Sequence, residues 1–197
     1  KVNQEREVVE TLMDEGRRFG MGLEVGSKPE LIAGISLEAG EHALMICNGY
    51  KDAEYVETAM LSSKLGITPI LVVEKFTELA TILEAARTLE IRPRIGVRCK
   101  LSFRSSGRWQ DSVGDRSKFG LTTREIVRVV EELKRHDMLD CLELLHFHIG
   151  SQVTQIRSIK NALREATRTL VALAGMGVVI RWFDVGGGLG IDYDGSS

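Results

Sequence analysis

His146-Phe147-His148-Ile149-Gly150-Ser151-Gln152 follows the apolar run Cys141 to Leu145, and Asp184-Val185-Gly186-Gly187-Gly188-Leu189-Gly190 follows the run Val178 to Phe183. Both runs read as buried strands, and both break into small residues where backbone can come close to a bound group. A helical pattern from Ile156 to Ala174 separates them. Glycine N–H groups beside a serine hydroxyl suit a phosphate, because fixed amide dipoles hold an anion without a mobile counter-charge. His148 stands three residues before Ser151, level with a ring attached to such a phosphate. Alternation puts His146 and His148 on one face and Phe147 on the other, and His146 fits a structural role better. The two stretches read as strand ends that together hold a phosphorylated cofactor.

Upstream, strand and helix patterns alternate. Val8, Val9, Leu12 and Met13 recur at helical spacing until Gly16 and Gly20, and Met21 to Val25 is a short apolar run. Ser27 is placed to cap a helix with Pro29 in its first turn. Strands are expected at Ala43 to Cys47, Pro69 to Val73, Arg94 to Arg98, Cys141 to His146 and Val178 to Val185. Helices are expected at Ala53 to Leu65, Thr77 to Leu89, from Thr122 or Thr123 to about Met138, and Ile156 to Ala174. Strands apolar at nearly every position are buried on both faces, as in a parallel sheet. An open doubly wound sheet and a (β/α)8 barrel both satisfy this. The barrel is favoured because Glu24, Asn48, Glu74, Arg98, His146 or His148, and Asp184 all fall at strand ends, which in a barrel face one mouth. The expected fold is thus an α/β, TIM-type (β/α)8 barrel, incomplete at both ends, forming one domain over residues 1–197.

Composition excludes several classes. A net charge of −2, with 27% charged and 43% hydrophobic residues, is that of a globular chain with no nucleic-acid or membrane surface. Cys47, Cys99 and Cys141 lie in or beside apolar runs without paired spacing, which argues against a disulfide framework and for a reducing compartment.

Other residues carry candidate chemistry. Lys1, if a strand ends just before it, faces the mouth as an amine able to bind an aldehyde cofactor; an exposed terminal charge is the plainer reading. Glu24 and Glu30 lie six residues apart across a strand-to-helix turn, where Glu30 also favours the helix dipole. The glycines 186–188 lack the Gly-x-Gly-x-x-Gly spacing of a dinucleotide fingerprint. Ser102 to Lys118 is a long polar loop in which Arg104, Arg108, Arg116 and Lys118 outweigh Asp111 and Asp115.

Taken together, Lys-Val-Asn-Gln, Gly-Leu-Glu-Val-Gly-Ser-Lys-Pro-Glu-Leu, Ile-Cys-Asn-Gly-Tyr-Lys-Asp, His-Phe-His-Ile-Gly-Ser-Gln and Phe-Asp-Val-Gly-Gly-Gly-Leu-Gly resemble the biosynthetic arginine decarboxylases. These belong to the alanine-racemase-like, fold-type III class of pyridoxal 5′-phosphate (PLP) enzymes. The histidine and glycine blocks are shared with ornithine and diaminopimelate decarboxylases, whereas the Cys47–Asp52 block and the Gly107–Gln110 and Ser117–Gly120 segments are more specific.

The resemblance implies PLP as cofactor, with Mg²⁺ on the resemblance alone and no metal ligand assigned. It matches Lys1 to the lysine bonded to the cofactor, Glu24 to an acid near that bond and Glu30 to a supporting acid. His148 matches the histidine stacked on the ring, Ser151 and Gly186, Gly187 and Gly188 match phosphate contacts, and Arg98 matches a strand-end arginine near the cofactor. The implied reaction is decarboxylation of L-arginine to agmatine and CO₂ on the polyamine route, in the cytoplasm, by a homo-oligomer with a shared active site. The alternatives are an ornithine or diaminopimelate decarboxylase, or a catalytically dead barrel regulator. On this resemblance the sequence reads as an interior segment, inactive alone, whose pyridine-nitrogen partner and proton donor lie outside it.

Overall fold

The computed structural model describes residues 3–37, 43–101, 119–192 and 195. The chain divides into two compact units, Lys1–Ile95 and Gly96–Ser197. The Ser102–Lys118 loop lies outside the described residues.

In the first unit, α1 (Arg6–Gly16) leads to β1 (Leu23–Val25), and Ser27 accepts from the Glu30 N–H at 3.4 Å to start α2 (Lys28–Ser36), with Pro29 in its first turn. After β2 (Leu44–Cys47), Asp52 accepts from the Tyr55 N–H at 2.9 Å and opens α3 (Ala53–Leu61), which tightens into a 3₁₀ turn over Ser62–Leu65. β3 (Thr68–Val73) and α4 (Phe76–Leu89) complete the pattern. β2 pairs in parallel with β1 through Ile46 opposite Glu24, and with β3 through Ile46 opposite Ile70. Leu71 donates to the Arg94 carbonyl at 2.9 Å, just before β4 (Ile95–Arg98), the strand at which the units meet in sequence.

The second unit continues with α5 (Thr123–Arg135), β5 (Leu142–His146), α6 (Ile156–Gly175) and β6 (Trp182–Asp184). A reciprocal cap starts α5: Thr122 Oγ1 accepts from the Glu125 N–H at 3.3 Å, and Glu125 Oε2 from the Thr122 N–H at 2.8 Å. Ile126, Val129, Val130 and Leu133 bury its inner face at three- and four-residue spacing. β5 and β6 are parallel, with Leu145 opposite Phe183 and His146 opposite Asp184. The Cys99 N–H donates to the His146 carbonyl at 2.8 Å, which sets the end of β4 level with the end of β5.

Within each unit, every strand pairs with its successor, the winding of a barrel rather than of a sheet with a reversal point. Ile70, Leu71, Val72 and Val73 of β3 and all of β5 are buried, as the continuous apolar runs require. Of the boundaries that differ from the sequence reading, three have a clear physical cause. α5 stops at Arg135 rather than Met138, because Asp137 turns to φ 54° and Met138 donates back to the Leu133 carbonyl. Cys141 belongs to a 3₁₀ turn (Leu139–Cys141), not to β5. β6 spans three residues rather than Val178 to Val185, because Val178 donates to Leu173 and closes α6, leaving Val179 72% exposed.

The three cysteines are free and buried. Burial pushes the Cys47 and Cys99 thiols up to about 12, so neither is a thiolate at neutral pH. Among the described residues, no helix is long and apolar enough to cross a membrane.

Leu145, the next-to-last residue of β5, is fully buried. In the intact protein, Leu145→Ala is expected to lose about 2–5 kcal/mol of stability, the transfer and cavity cost of a core leucine, read as a lower urea midpoint.

Candidate active site

The polar residues named from the sequence do stand at strand ends, and they form one cluster in each unit. Glu24 is the middle residue of β1, and α2 carries Glu30 in its first turn. A Cβ at Gly26 would lie 3.7 Å from Glu24 Oε1 and 3.5 Å from Glu30 Oε2, so one glycine separates the two carboxylates. Glu30 Oε2 accepts from the Gly26 N–H at 2.8 Å, and Oε1 from the Gln4 amide at 2.6 Å. Burial pushes the Glu30 carboxyl up, but the Gly26 N–H, the Gln4 amide and Ser27 outweigh it and hold the group below the usual glutamate range. Glu30 is therefore a fixed anion at neutral pH. Both acids line a cleft of about 370 Å³ with Gln4, Leu23, Val25 and Gly34.

Sequence reasoning missed Lys51. Its side chain is fully buried, donates to the Gly49 carbonyl at 2.6 Å and lies 3.6 Å from Glu78 Oε2. Glu78, itself 2% exposed, also accepts from the backbone N–H groups of Glu74 at 2.8 Å and Lys51 at 3.3 Å. Glu74 Oε1 accepts from the Gly49 N–H at 3.0 Å. Burial pulls the Lys51 amine below the ordinary lysine value, against Glu78 and Glu74, which favour its charge. The network fixes Gly49 at φ 73° against Gly26, whose carbonyl a Cβ at Gly49 would strike. The loop carrying Glu30's backbone donor is thereby wedged by the loop after β2. A lysine amid the apolar and polar residues of Cys47–Asp52 carries no sequence mark of burial.

In the second unit, His146 ends β5 and is buried, while His148 is half-buried two residues on. A Cβ at Gly186 would lie 3.2 Å from His148 Nδ1 and 3.3 Å from His146 Cε1, so the two imidazoles share one side of the Gly186 backbone. Asp184 Oδ2 lies 2.8 Å from His146 Nδ1 but off the ring N–H axis, an electrostatic contact rather than an aligned hydrogen bond. Asp184 Oδ1 accepts from the Gly186 N–H at 2.8 Å. Burial raises the Asp184 carboxyl, yet His146 and the Gly186 N–H bring it below the usual aspartate range. His148 is shifted down from 6.5, first by burial and then by the charges of Arg98 and His146, so it is a neutral imidazole at neutral pH.

The glycine run turns tightly onto the loop after β5. Gly186 and Gly188 have φ of 64° and 93°; a Cβ on Gly186 would stand 2.5 Å from the Phe147 carbonyl oxygen, and one on Gly188 would collide with the Gly150 carbonyl. Nothing lies within 4 Å of the Cβ position at Gly187. Val153 donates to the Gly188 carbonyl at 2.9 Å, and Gly190 to the Val153 carbonyl at 3.0 Å. Ser151 is half-buried on this paired surface. Arg98 ends β4, its guanidinium 5.6 Å from the centre of the Phe119 ring. Open space at one glycine, flanked by backbone and a neutral imidazole, fits a phosphorylated aromatic group. Lys1 lies outside the described residues. Among the described residues no group of three or more His, Cys, Asp or Glu side chains is placed to hold a metal ion, and none is assigned to Mg²⁺.

Two outcomes follow from these groups. In the intact protein, Lys51→Met strands the buried Glu78 carboxylate and is expected to cost about 3–5 kcal/mol in denaturant unfolding, with Lys51→Met/Glu78→Gln costing less than the summed single changes. For His148 the folded value lies below the unfolded one, so the unfolded chain takes up the proton first. Its contribution is present above 6.5 and is lost as pH falls through the folded value. His148→Gln is expected to flatten the fall in melting temperature of the ligand-free protein between about pH 7 and pH 5.

The family model for the pyridoxal-dependent decarboxylases, pyridoxal binding domain, matches residues 1–197. Over 196 residues the chain is 58% identical to the biosynthetic arginine decarboxylase of Gloeobacter violaceus and 54% identical to that of Phocaeicola vulgatus. It is covered completely in both comparisons but spans only 30% and 31% of those proteins. Among solved structures, the biosynthetic arginine decarboxylase of Campylobacter jejuni superposes with a TM-score of 0.86 at 33% identity, over 98% of this chain and 31% of that one. Diaminopimelate decarboxylase of Helicobacter pylori superposes with a TM-score of 0.80 at 26% identity, over 95% of this chain and 47% of that one. The TIM-type α/β class read from the strand pattern is that of these proteins, and the chain belongs to the pyridoxal-dependent decarboxylase family, matching its pyridoxal-binding domain.

Proposed function

We propose that the intact protein is a PLP-dependent arginine decarboxylase, releasing CO₂ from L-arginine to give agmatine for polyamine synthesis, and that residues 1–197 act in it as one PLP-binding domain. The observation that carries this reading is the meeting of His148, Gly186 and the Ser151 loop on two adjacent strand ends of one unit, in a chain so similar to two biosynthetic arginine decarboxylases. Lys1 is the residue we assign to covalent attachment of the cofactor. Cytoplasmic location and a homo-oligomer with a shared active site belong to the same reading.

The cofactor, when bound, supplies an electron sink for the pair left on Cα as CO₂ departs. This chain's residues hold and orient. A neutral, half-buried His148 offers a flat face to a pyridine ring and fixes its plane without placing a second cation beside it. Ser151 and the N–H groups of Gly187 and Gly188 hold the phosphate; the Gly186 N–H is committed to Asp184, so Gly186 serves by its tight packing on Phe147. Arg98, at the end of β4, adds positive charge on the same side. Glu30, held ionised, anchors the first turn of α2, and we assign to Glu24, across Gly26 from it, the proton exchange at the cofactor's bond to Lys1.

The intact enzyme is expected to release CO₂ from L-arginine at least tenfold faster, as kcat/KM, than from ornithine or diaminopimelate. A reversed order would reassign the substrate. Borohydride reduction after PLP addition is expected to label Lys1, and Lys1→Ala to abolish the label; an unlabelled Lys1 in the wild type would favour the catalytically dead regulator.

A further inference from the structure

Gln152 stands outside every role given above, yet it is unusually constrained. Its side-chain Nε2 donates to the Ile191 carbonyl at 3.0 Å, and its Oε1 accepts from the Ile191 N–H at 2.9 Å. Reversing the amide would set N–H against N–H and oxygen against oxygen, so the two bonds fix its orientation. Its backbone sits at φ 54°, a left-handed conformation rare outside glycine. Next to it, Val153 forms a parallel bridge with Leu189, using the Gly188 carbonyl and the Gly190 N–H. The Gln152 amide thus supplies the following rung of the same ladder, a side chain standing in for a strand.

We propose that Gln152 is a positioning residue for the cofactor phosphate: by gripping Ile191 it fixes the distance between the loop after β5 and the loop after β6. This rests on the reading that Ser151 and Gly187–Gly188 hold that phosphate. Ser151 immediately precedes the grip on one side, and Gly187 and Gly188 lie four and three residues before Ile191 on the other. Contact between the loops is backbone on backbone at Gly150 and Gly188, with no side chain between them to act as a spacer. Releasing the grip lets the two halves of the phosphate site part. His148 lies two residues past the end of β5 and before Gly150, so its contact with the ring does not depend on Ile191. The effect is therefore confined to the phosphate.

The test uses the intact enzyme stripped of cofactor and titrated with PLP and with pyridoxal, which lacks the phosphate, following fluorescence quenching. Gln152→Asn keeps a residue that tolerates left-handed backbone but is one methylene short of Ile191. It is expected to weaken PLP binding about tenfold, the scale of losing two neutral hydrogen bonds, and to leave pyridoxal within about twofold of wild type. Gln152→Gly relieves the backbone as well, and is expected to show the same phosphate-selective loss while the ligand-free melting temperature does not fall. Parallel losses for both ligands, no loss for either, or wild-type PLP affinity in Gln152→Gly would overturn the proposal. Ser151→Ala separates the two levels. If it leaves the preference for PLP over pyridoxal intact, the phosphate assignment fails. If it erases that preference while Gln152→Asn does not, the grip alone fails.

Discussion

Strands buried on both faces push charged and polar groups towards the strand ends, because one held inside a strand must bring a partner with it. In β3 and β5 nearly every residue is enclosed. A carboxylate within such a run meets the desolvation penalty and needs a partner, as Glu143 inside β5 has in Arg181 at 3.8 Å. Asn48, Glu74, Arg98, His146 and Asp184 accordingly lie at or just beyond the last residue of successive strands, and Glu24 one residue before its strand's end. Parallel pairing then sets neighbouring ends at one level, as His146 opposite Asp184 and Glu24 opposite Ile46 illustrate. The chemistry of the family is a consequence of where burial forbids polarity.

Both units solve the next problem alike. Loops after adjacent strands must be held at a fixed spacing, and each unit does so by pressing a left-handed glycine onto a neighbouring carbonyl: Gly49 on Gly26 in the first, Gly188 on Gly150 in the second. What secures the contact differs. The first unit uses a buried ion network, Lys51 with Glu78 and Glu74, and the second uses main-chain bonds with one neutral amide. Charge at a buried lysine carries a large desolvation cost, so the first arrangement is cooperative: remove one member and the others are stranded.

Much of this was legible in the sequence. Alternating apolar runs and helical patterns located the strands and helices; Ser27 and Pro29 marked the start of α2, and of the two threonines offered for α5 the cap is Thr122. Errors fell where the chain leaves an element. Val178 to Arg181 is apolar enough for a strand, but its first N–H is taken by the departing helix. Asp137 ends α5 by a backbone turn that no side-chain pattern announces. The same limit applies in the site. His148 and the glycine run were readable because imidazole and glycine have few other reasons to follow a buried strand. Lys51 and Gln152 were not, since lysine and glutamine are ordinarily solvated, and only the folded chain shows one buried beside carboxylates and the other paired to a distant peptide.

The contact between Gly188 and Gly150 also shapes how such a protein is free to diverge. The obstacle to a side chain at 188 is a peptide oxygen, present whatever residue occupies 150. No second replacement nearby removes it, so a genetic suppressor of a Gly188 change has to shift main chain along the whole turn. The position is closed to the gradual exchange of side chains by which most cores drift.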